Sequence, residues 1–280
     1  QDATVIFVSG SGNDYNNGLS PDTPVATLGA AYSKLSSTGD TSNQIIVICG
    51  PLTYSTANAS QDFTKPVTIT SVYNGVDYRN TNSAVLNVGT NMYLQADLNL
   101  DNINVQVTQD TNMLVCNYHN LTIGRGISTN EDSYTFGTIV GGSLNKNTGY
   151  RTGTIGIHNM VIESGIYNNI IGSDDTSSDN GTTYVTHEIE LGSRKHAVTG
   201  RYDYLKVKGY FMLGQGEWSH YAYDTDYANI TIYAGTFTGE QSFNKYSDST
   251  VIYARCLEGT DGAEGIVNLN MYGGSVEGNI

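Results

Sequence analysis

Apolar and polar residues alternate in short bursts along most of this chain, and most bursts end in Gly, Asn, Ser or Thr. Successive strand side chains point to opposite faces, so a burst such as Val67-Thr-Ile-Thr70 predicts a short strand with one buried face. The pattern predicts strands over 5–8, 44–49, 67–70, 84–88, 92–96, 102–107, 112–115, 121–123 and 138–140. It continues over 154–157, 160–162, 184–191, 205–207, 230–233, 250–253 and 266–271. One segment follows a helical period instead. Thr23-Pro24 offers an N-cap and a first helical residue, and Leu28, Ala31, Tyr32 and Leu35 then share one face before Gly39.

The strands carry a returning phrase. Asn120-Leu-Thr-Ile-Gly-Arg-Gly126, Asn159-Met-Val-Ile-Glu-Ser-Gly165, Asn229-Ile-Thr-Ile-Tyr-Ala-Gly235 and Asn268-Leu-Asn-Met-Tyr-Gly-Gly274 all read Asn, apolar, any, apolar, any, any, Gly. Their starts lie 39, 70 and 39 residues apart, and Asn102-Ile-Asn-Val precedes Asn120 by 18. Gly137-Thr-Ile-Val-Gly141, Tyr204-Leu-Lys-Val-Lys-Gly209 and Ser249-Thr-Val-Ile-Tyr253 are read as degenerate intermediates within the longer gaps. Repetition on this scale indicates stacked coils of roughly 18–25 residues that bury a shared apolar column. The expected architecture is all-β: a parallel β-helix of about ten coils with a short N-terminal α-helical cap. Residues 1–50 form the cap and first coil, and residues 51–280 the remaining coils of one continuous domain, which stops mid-repeat as if truncated. An antiparallel sandwich is the rival, but Asn-Gly turns fall only at 17, 74 and 180, not at hairpin spacing.

Composition narrows the function classes. The formal net charge is −14 and charged residues make up only 14%, with no basic stripe, which argues against nucleic acid. No run of 18 apolar residues exists, so membrane insertion is not expected. Abundant Asn, Thr, Ser and Tyr with few Lys lean towards an extracellular protein, secreted or attached to a cell surface. Cys49, Cys116 and Cys256 are far apart; Cys49 and Cys116 sit in apolar runs and read as buried thiols, with a Cys49–Cys116 bridge open as the alternative.

Phe7-Val8-Ser9, Gly12-Asn13-Asp14, Gly18, Ser20-Pro21, Pro24, Thr27-Leu28 and Ala31 together resemble the opening segment of secreted right-handed parallel β-helix proteins, the pectate-lyase-like group. The resemblance covers about a tenth of the chain. It implies a right-handed coil whose first turn is covered by a helix. The Gly-Gly-Ser-Val-Glu-Gly style near the C-terminus loosely resembles repetitive surface proteins of anaerobic bacteria. The group includes lyases, hydrolases, esterases, tail spikes and adhesins, so activity must be argued from sites.

Three clusters are candidates. Gly172-Ser-Asp-Asp175 is similar to the Gly-x-Asp-Asp element of polygalacturonase-type hydrolases, but no accompanying Gly-His-Gly or Arg-Ile-Lys occurs. Asp174, Asp175 and Asp179 supply hard oxygen ligands for a Ca²⁺ ion, while an Asp-rich solvent turn would use the same residues. Arg194, Lys195, His196, Arg201, Lys206 and Lys208 form the one basic cluster, the chemistry a polysaccharide lyase uses for proton abstraction. The segment 216–227 holds Trp218, Tyr221, Tyr223, Asp224 and Asp226, whose flat rings and carboxylates suit sugar contacts. No complete catalytic set emerges. The sequence therefore favours a non-catalytic rigid scaffold for adhesion or carbohydrate binding, with a polysaccharide or host cell-surface glycan as partner. The alternative is a polysaccharide-active enzyme, a lyase or glycoside hydrolase on acidic glycans, or more remotely a pectin-esterase-like activity.

Overall fold

The computed structural model describes residues 3–55, 62–175, 183–192, 204–213, 225–240, 250–253 and 266–280, with backbone alone for 225 and 226. Among these, nearly all regular structure is strand, and the strands assemble into long parallel sheets of the kind that a β-helix or solenoid builds. The longest sheet has nine strands, in the order Thr4–Val8, Gln44–Ile48, Val67–Thr70, Leu98–Asp101, Leu121–Ile123, Gly153–Ile162, Thr183–Leu191, Thr225–Ile232 and Ile266–Met271. Spatial order follows chain order and every pairing is parallel. The chain leaves this sheet after each strand, crosses to another wall and returns one step further along.

Two further parallel sheets form the other walls. A three-stranded sheet joins Pro51–Tyr54, Val85–Val88 and Val105–Val107. An eight-stranded sheet runs from Met92–Tyr93 through Met113–Val115, Phe136–Val140, Gly165–Ile171 and Leu205–Met212 to Thr236–Phe237 and Ser275–Val276. Ile252–Tyr253 also pairs with Leu205–Met212.

Register makes the inward column explicit. Ile6, Ile46, Ile69, Leu100, Ile123, Ile162, Leu191, Ile232 and Met271 are aligned partners on successive rungs. The first eight are buried. Each buried Ile or Leu contributes about 1.5–3 kcal/mol, and nine rungs at about 4.8 Å make a stack about 38 Å long. One apolar cluster runs from Ile6 to Ile252 without a break.

The same column corrects the coil length. Successive aligned residues are 40, 23, 31, 23, 39, 29, 41 and 39 apart in sequence. A gap of 39 is thus one complete coil, not two. The supposed intermediates at 137–141, 204–209 and 249–253 belong to or border strands of the eight-stranded sheet, on a different wall. They resemble the main strands because they too place apolar residues in the core. The rung between Asn159 and Asn229 is Thr183–Leu191, with Glu188 at the Asn position. The rung before Asn120 is Leu98–Asp101. Asn102 is instead the corner residue after it, with φ 48°.

The helix also starts later than Thr23-Pro24 predicts. Val25 forms a parallel bridge with Val8, donating its N–H to the Phe7 carbonyl and accepting from Ser9 N–H, which holds this stretch extended. The Asp14 carboxylate accepts from Ala26 N–H, Thr27 N–H and the Thr27 hydroxyl. The helix then runs over Leu28–Ser33, with Thr27 Oγ1 capping Ala30 N–H. Leu28, Ala31, Tyr32 and Leu35 are all buried, as their spacing predicts. A second helix, Tyr78–Thr81, is a single turn capped by Asp77. Before it, the antiparallel hairpin of Val72–Tyr73 and Val76–Asp77 turns through Asn74 and Gly75, both at positive φ. Cys49 and Cys116 are buried free thiols, and Cys256 lies outside the described residues. No helix among the described residues is long and apolar enough to cross a membrane.

Candidate functional site

Several predicted site residues lie outside the described residues: Trp218, Tyr221, Tyr223, Asp224, Asp179, Arg194, Lys195, His196 and Arg201. Asp226 falls within the strand Thr225–Ile232, of which the backbone is described at that position. Those whose side chains are described occupy two different places.

Asp174 and Asp175 follow the strand Gly165–Ile171 at a corner of the coil. Asp174 is buried, not on an open turn; its Oδ1 accepts from the Tyr118 hydroxyl at 2.8 Å and from Ser143 N–H at 2.6 Å. Asp175 donates its N–H to the Ser143 carbonyl, and burial pushes its carboxyl above the usual carboxylate range. A Cβ on Gly142 would collide with Asp174 and the Tyr118 ring, so this corner admits the network only because position 142 is bare. Among the described residues, no three of His, Cys, Asp and Glu stand together as a metal site.

Lys206 and Lys208 alternate with buried Leu205 and Val207, so they share the outer face of their strand as predicted. Lys206 Nζ pairs with Glu240 at 3.2 Å, and that contact holds the Glu240 carboxyl below its ordinary value. Lys208 Nζ donates to the Glu131 carbonyl and lies 5.2 Å from the Tyr134 ring centroid. Ile166 is level with Lys206 and Ile171 with Met212. Lys206 and Asp174 are therefore separated by at least five strand positions, roughly 17 Å at 3.3–3.4 Å per residue. Among the described residues of the two clusters, Asp174 and Asp175 stand apart from Lys206 and Lys208.

The structure assembles something else: the outer face of the nine-stranded sheet. Asn120, Asn159, Glu188, Asn229 and Asn268 fall on one line up the stack, continuous with Asp97. Asn120 N–H donates to Asp97 Oδ1 and Asn159 N–H to Asn120 Oδ1, each at 2.9 Å. Asn229 Nδ2 donates to Glu188 Oε1 at 2.9 Å, and Asn268 Nδ2 to Asn229 Oδ1 at 3.2 Å and to the Tyr227 hydroxyl at 2.9 Å. An amide that hydrogen-bonds to its stacked copy still has lone pairs or N–H groups to offer solvent.

Rows on either side complete the face. One row holds Ile157, Thr186, Tyr227 and Ile266; another holds Val161, Glu190, Thr231 and Asn270. Beyond them Tyr233 and Tyr272 stack at 5.7 Å with their planes 14° apart, and Tyr272 is 74% exposed. The described residues of these rows include Glu188 and Glu190 but no Lys or Arg. The repeating Asn was the sequence signal for this face. Tyr227 and Tyr233 belong to one rung and Tyr272 to the next, and Tyr233 and Tyr272 hold the same place in the repeated phrase.

Comparison with known proteins returns no match: no family model, no curated protein and no solved structure is significantly similar to the chain. The likeness of the opening segment to the pectate-lyase-like group therefore rests on its own residues.

Proposed function

We propose that this chain is a non-catalytic extracellular β-helix module, its coils right-handed and its first turn covered by the helix Leu28–Ser33, serving as a rigid scaffold for carbohydrate binding and adhesion. Right-handed crossovers are the rule between parallel strands. The observation that carries the functional reading is the outer face of the nine-stranded sheet. There the Asn and Glu ladder runs beside the stacked Tyr233–Tyr272 pair. Aromatic faces and amide or carboxylate groups on a flat, regular surface match the stacking and hydroxyl bonding that sugars require. Glu188 and Glu190, with no opposing cation among the described residues of these rows, disfavour uronates and favour a neutral glycan. The segment containing Trp218 leads in sequence directly into Thr225–Ile232, the strand that carries Tyr227 and Asn229. The distance between Asp174 and Lys206 also leans away from a lyase that would pair these two residues.

Retention on an array of neutral and acidic polysaccharides tests this. The parent protein should bind a neutral glycan. Tyr272→Ala and Asn229→Ala should each weaken retention at least tenfold, Trp218→Ala likewise, and Lys206→Ala should leave it unchanged. Retention untouched by Tyr272→Ala and Asn229→Ala, or release of unsaturated or reducing ends from any polymer tested, would overturn the proposal.

A further inference from the structure

The inward positions of the central rungs of the nine-stranded sheet are apolar apart from Thr183, at the start of its strand, and two histidines that meet. His158 on Gly153–Ile162 and His187 on Thr183–Leu191 are in-register neighbours, and both are fully buried. Their rings lie 5.9 Å apart between centroids, at 79°. His158 Nε2 contacts the His119 carbonyl at 2.9 Å; a carbonyl only accepts, so this nitrogen carries the proton. That leaves His158 Nδ1 as an acceptor with no partner, and neither nitrogen of His187 has one. Three buried ring nitrogens without hydrogen bonds are costly, where Met or Leu would incur no such cost. The pair completes no metal site among the described residues. The chemistry it retains is proton uptake.

The surrounding groups do not favour an imidazolium. Tyr118 stands 5.8 Å from His158 and 6.3 Å from His187, but its hydroxyl is committed to Asp174. Asp174 also accepts from Ser143 N–H. Arg151 donates to the Tyr118 carbonyl, and its charge, with that of His119, opposes a proton on His158. On the next rung His187 faces Ala228, which brings no charge.

We propose that the His158–His187 pair is an acid-operated latch, which keeps the coil wall closed while both rings are neutral and lets Gly153–Ile162 part locally from Thr183–Leu191 when they take up protons. Desolvation holds His158 down to about 4 and His187 down to about 3, the latter with a smaller repulsion from His158. An exposed imidazole protonates near 6.5. From pH 6.5 downwards, the opened wall therefore binds protons that the closed wall refuses, and closure weakens as pH falls. Asp175 acts in the opposite sense, since its raised carboxyl is protonated more readily in the closed coil, while His119, which burial also holds down to about 4, adds to the effect of the pair.

Native-state hydrogen exchange on the parent protein tests the latch. After correction for intrinsic rates, protection of the Met160 and Ile189 amides should fall about tenfold per histidine for each pH unit below 6.5. Amides of Leu98–Asp101 should change far less. The double variant His158→Gln/His187→Met should lose the pair's share of that slope, leaving at most the part due to His119. Ring titration followed by NMR in the folded parent needs no variant, and both imidazoles should remain neutral at pH 5. Rings that titrate near 6.5 without loss of protection, or an undiminished slope in the double variant, would overturn the proposal. The outcome is independent of whether the outer face binds a glycan.

Discussion

Among individual residues, Asn117 carries the heaviest local demand. It is fully buried and its φ is 49°, a left-handed conformation that Asn tolerates better than most residues. Nδ2 donates to the Leu94 carbonyl at 3.0 Å and the Thr148 carbonyl at 2.9 Å. Oδ1 accepts from the Ser143 hydroxyl and from Asn147 Nδ2, each at 2.9 Å. All four hydrogen-bonding positions of the amide are thus used, across three segments of the chain. Asn117→Ala should destabilise the protein by about 4 kcal/mol, combining orphaned buried groups with a Cβ residue of poor left-handed tolerance. Asn117→Gly should cost about 1 kcal/mol less, because only the backbone share is restored. Urea unfolding of the three proteins checks both figures; equal midpoints for parent and Asn117→Ala would show that the network contributes nothing net. The sequence offered no sign of this role. Cys-Asn-Tyr-His is an unremarkable turn, and the amide's partners are 23 to 31 residues away. The burial of Cys116 beside it was legible, since the thiol ends an apolar run; burial pushes that thiol well above its ordinary value.

At the scale of the strand, the two faces of one rung should respond very differently to truncation. Ile162 lies inward between Ile123 and Leu191, with no exposed surface. Asn159, three residues earlier, is exposed and faces outward. Ile162→Ala should therefore cost about 2–5 kcal/mol through the cavity it leaves, and Asn159→Ala under about 1 kcal/mol. Thermal unfolding of the pair checks this, and comparable losses would mean that the assumed inward column is not where the stability lies. The repeat that predicts this contrast was readable because each Asn-apolar-any-apolar strand obeys a period of two wherever it occurs. Coil length was not readable from the same signal. Leu205–Met212 buries alternate residues over most of its length as the main strands do, and Phe136–Val140 is a similar short apolar run, so strands of two walls look alike in sequence. Gly165–Ile171 was passed over because Tyr-Asn-Asn interrupts its apolar run, yet Tyr167 is buried there and donates its hydroxyl to the Ser164 carbonyl. The Tyr pair on the outer face follows from the repeat itself: Tyr233 and Tyr272 hold the fifth position of two phrases 39 residues apart, and they meet because a gap of 39 is one coil, so their rungs are adjacent.

For the molecule as a whole, a stack of this kind is nearly one-dimensional. Each rung is stabilised mainly by its two neighbours, so local stability depends on position along the axis. The two ends of the described stack differ. At the N-terminal end, Phe7 packs edge-on against Tyr73 and Tyr78, and Leu28, Ala31 and Tyr32 of the helix join the core. At the other end, Ile266–Met271 has a single partner strand among the described residues, and Ile266 is 62% exposed. Val267 and Leu269 only lean against the core, and Met271, last in the inward column, is 39% exposed. A strand with one neighbour and half-covered apolar residues opens without disturbing the rungs behind it. Amides of Ile266–Met271 that bond to Thr225–Ile232 should therefore exchange at least a hundredfold faster than those of Leu98–Asp101, which is paired on both sides. The rates should grade from one to the other through Thr225–Ile232. Hydrogen exchange at neutral pH, where the histidine latch is closed, measures this gradient. A single uniform rate across all nine rungs would instead mean that the stack opens all at once, with the exposed last rung as firmly held as the centre.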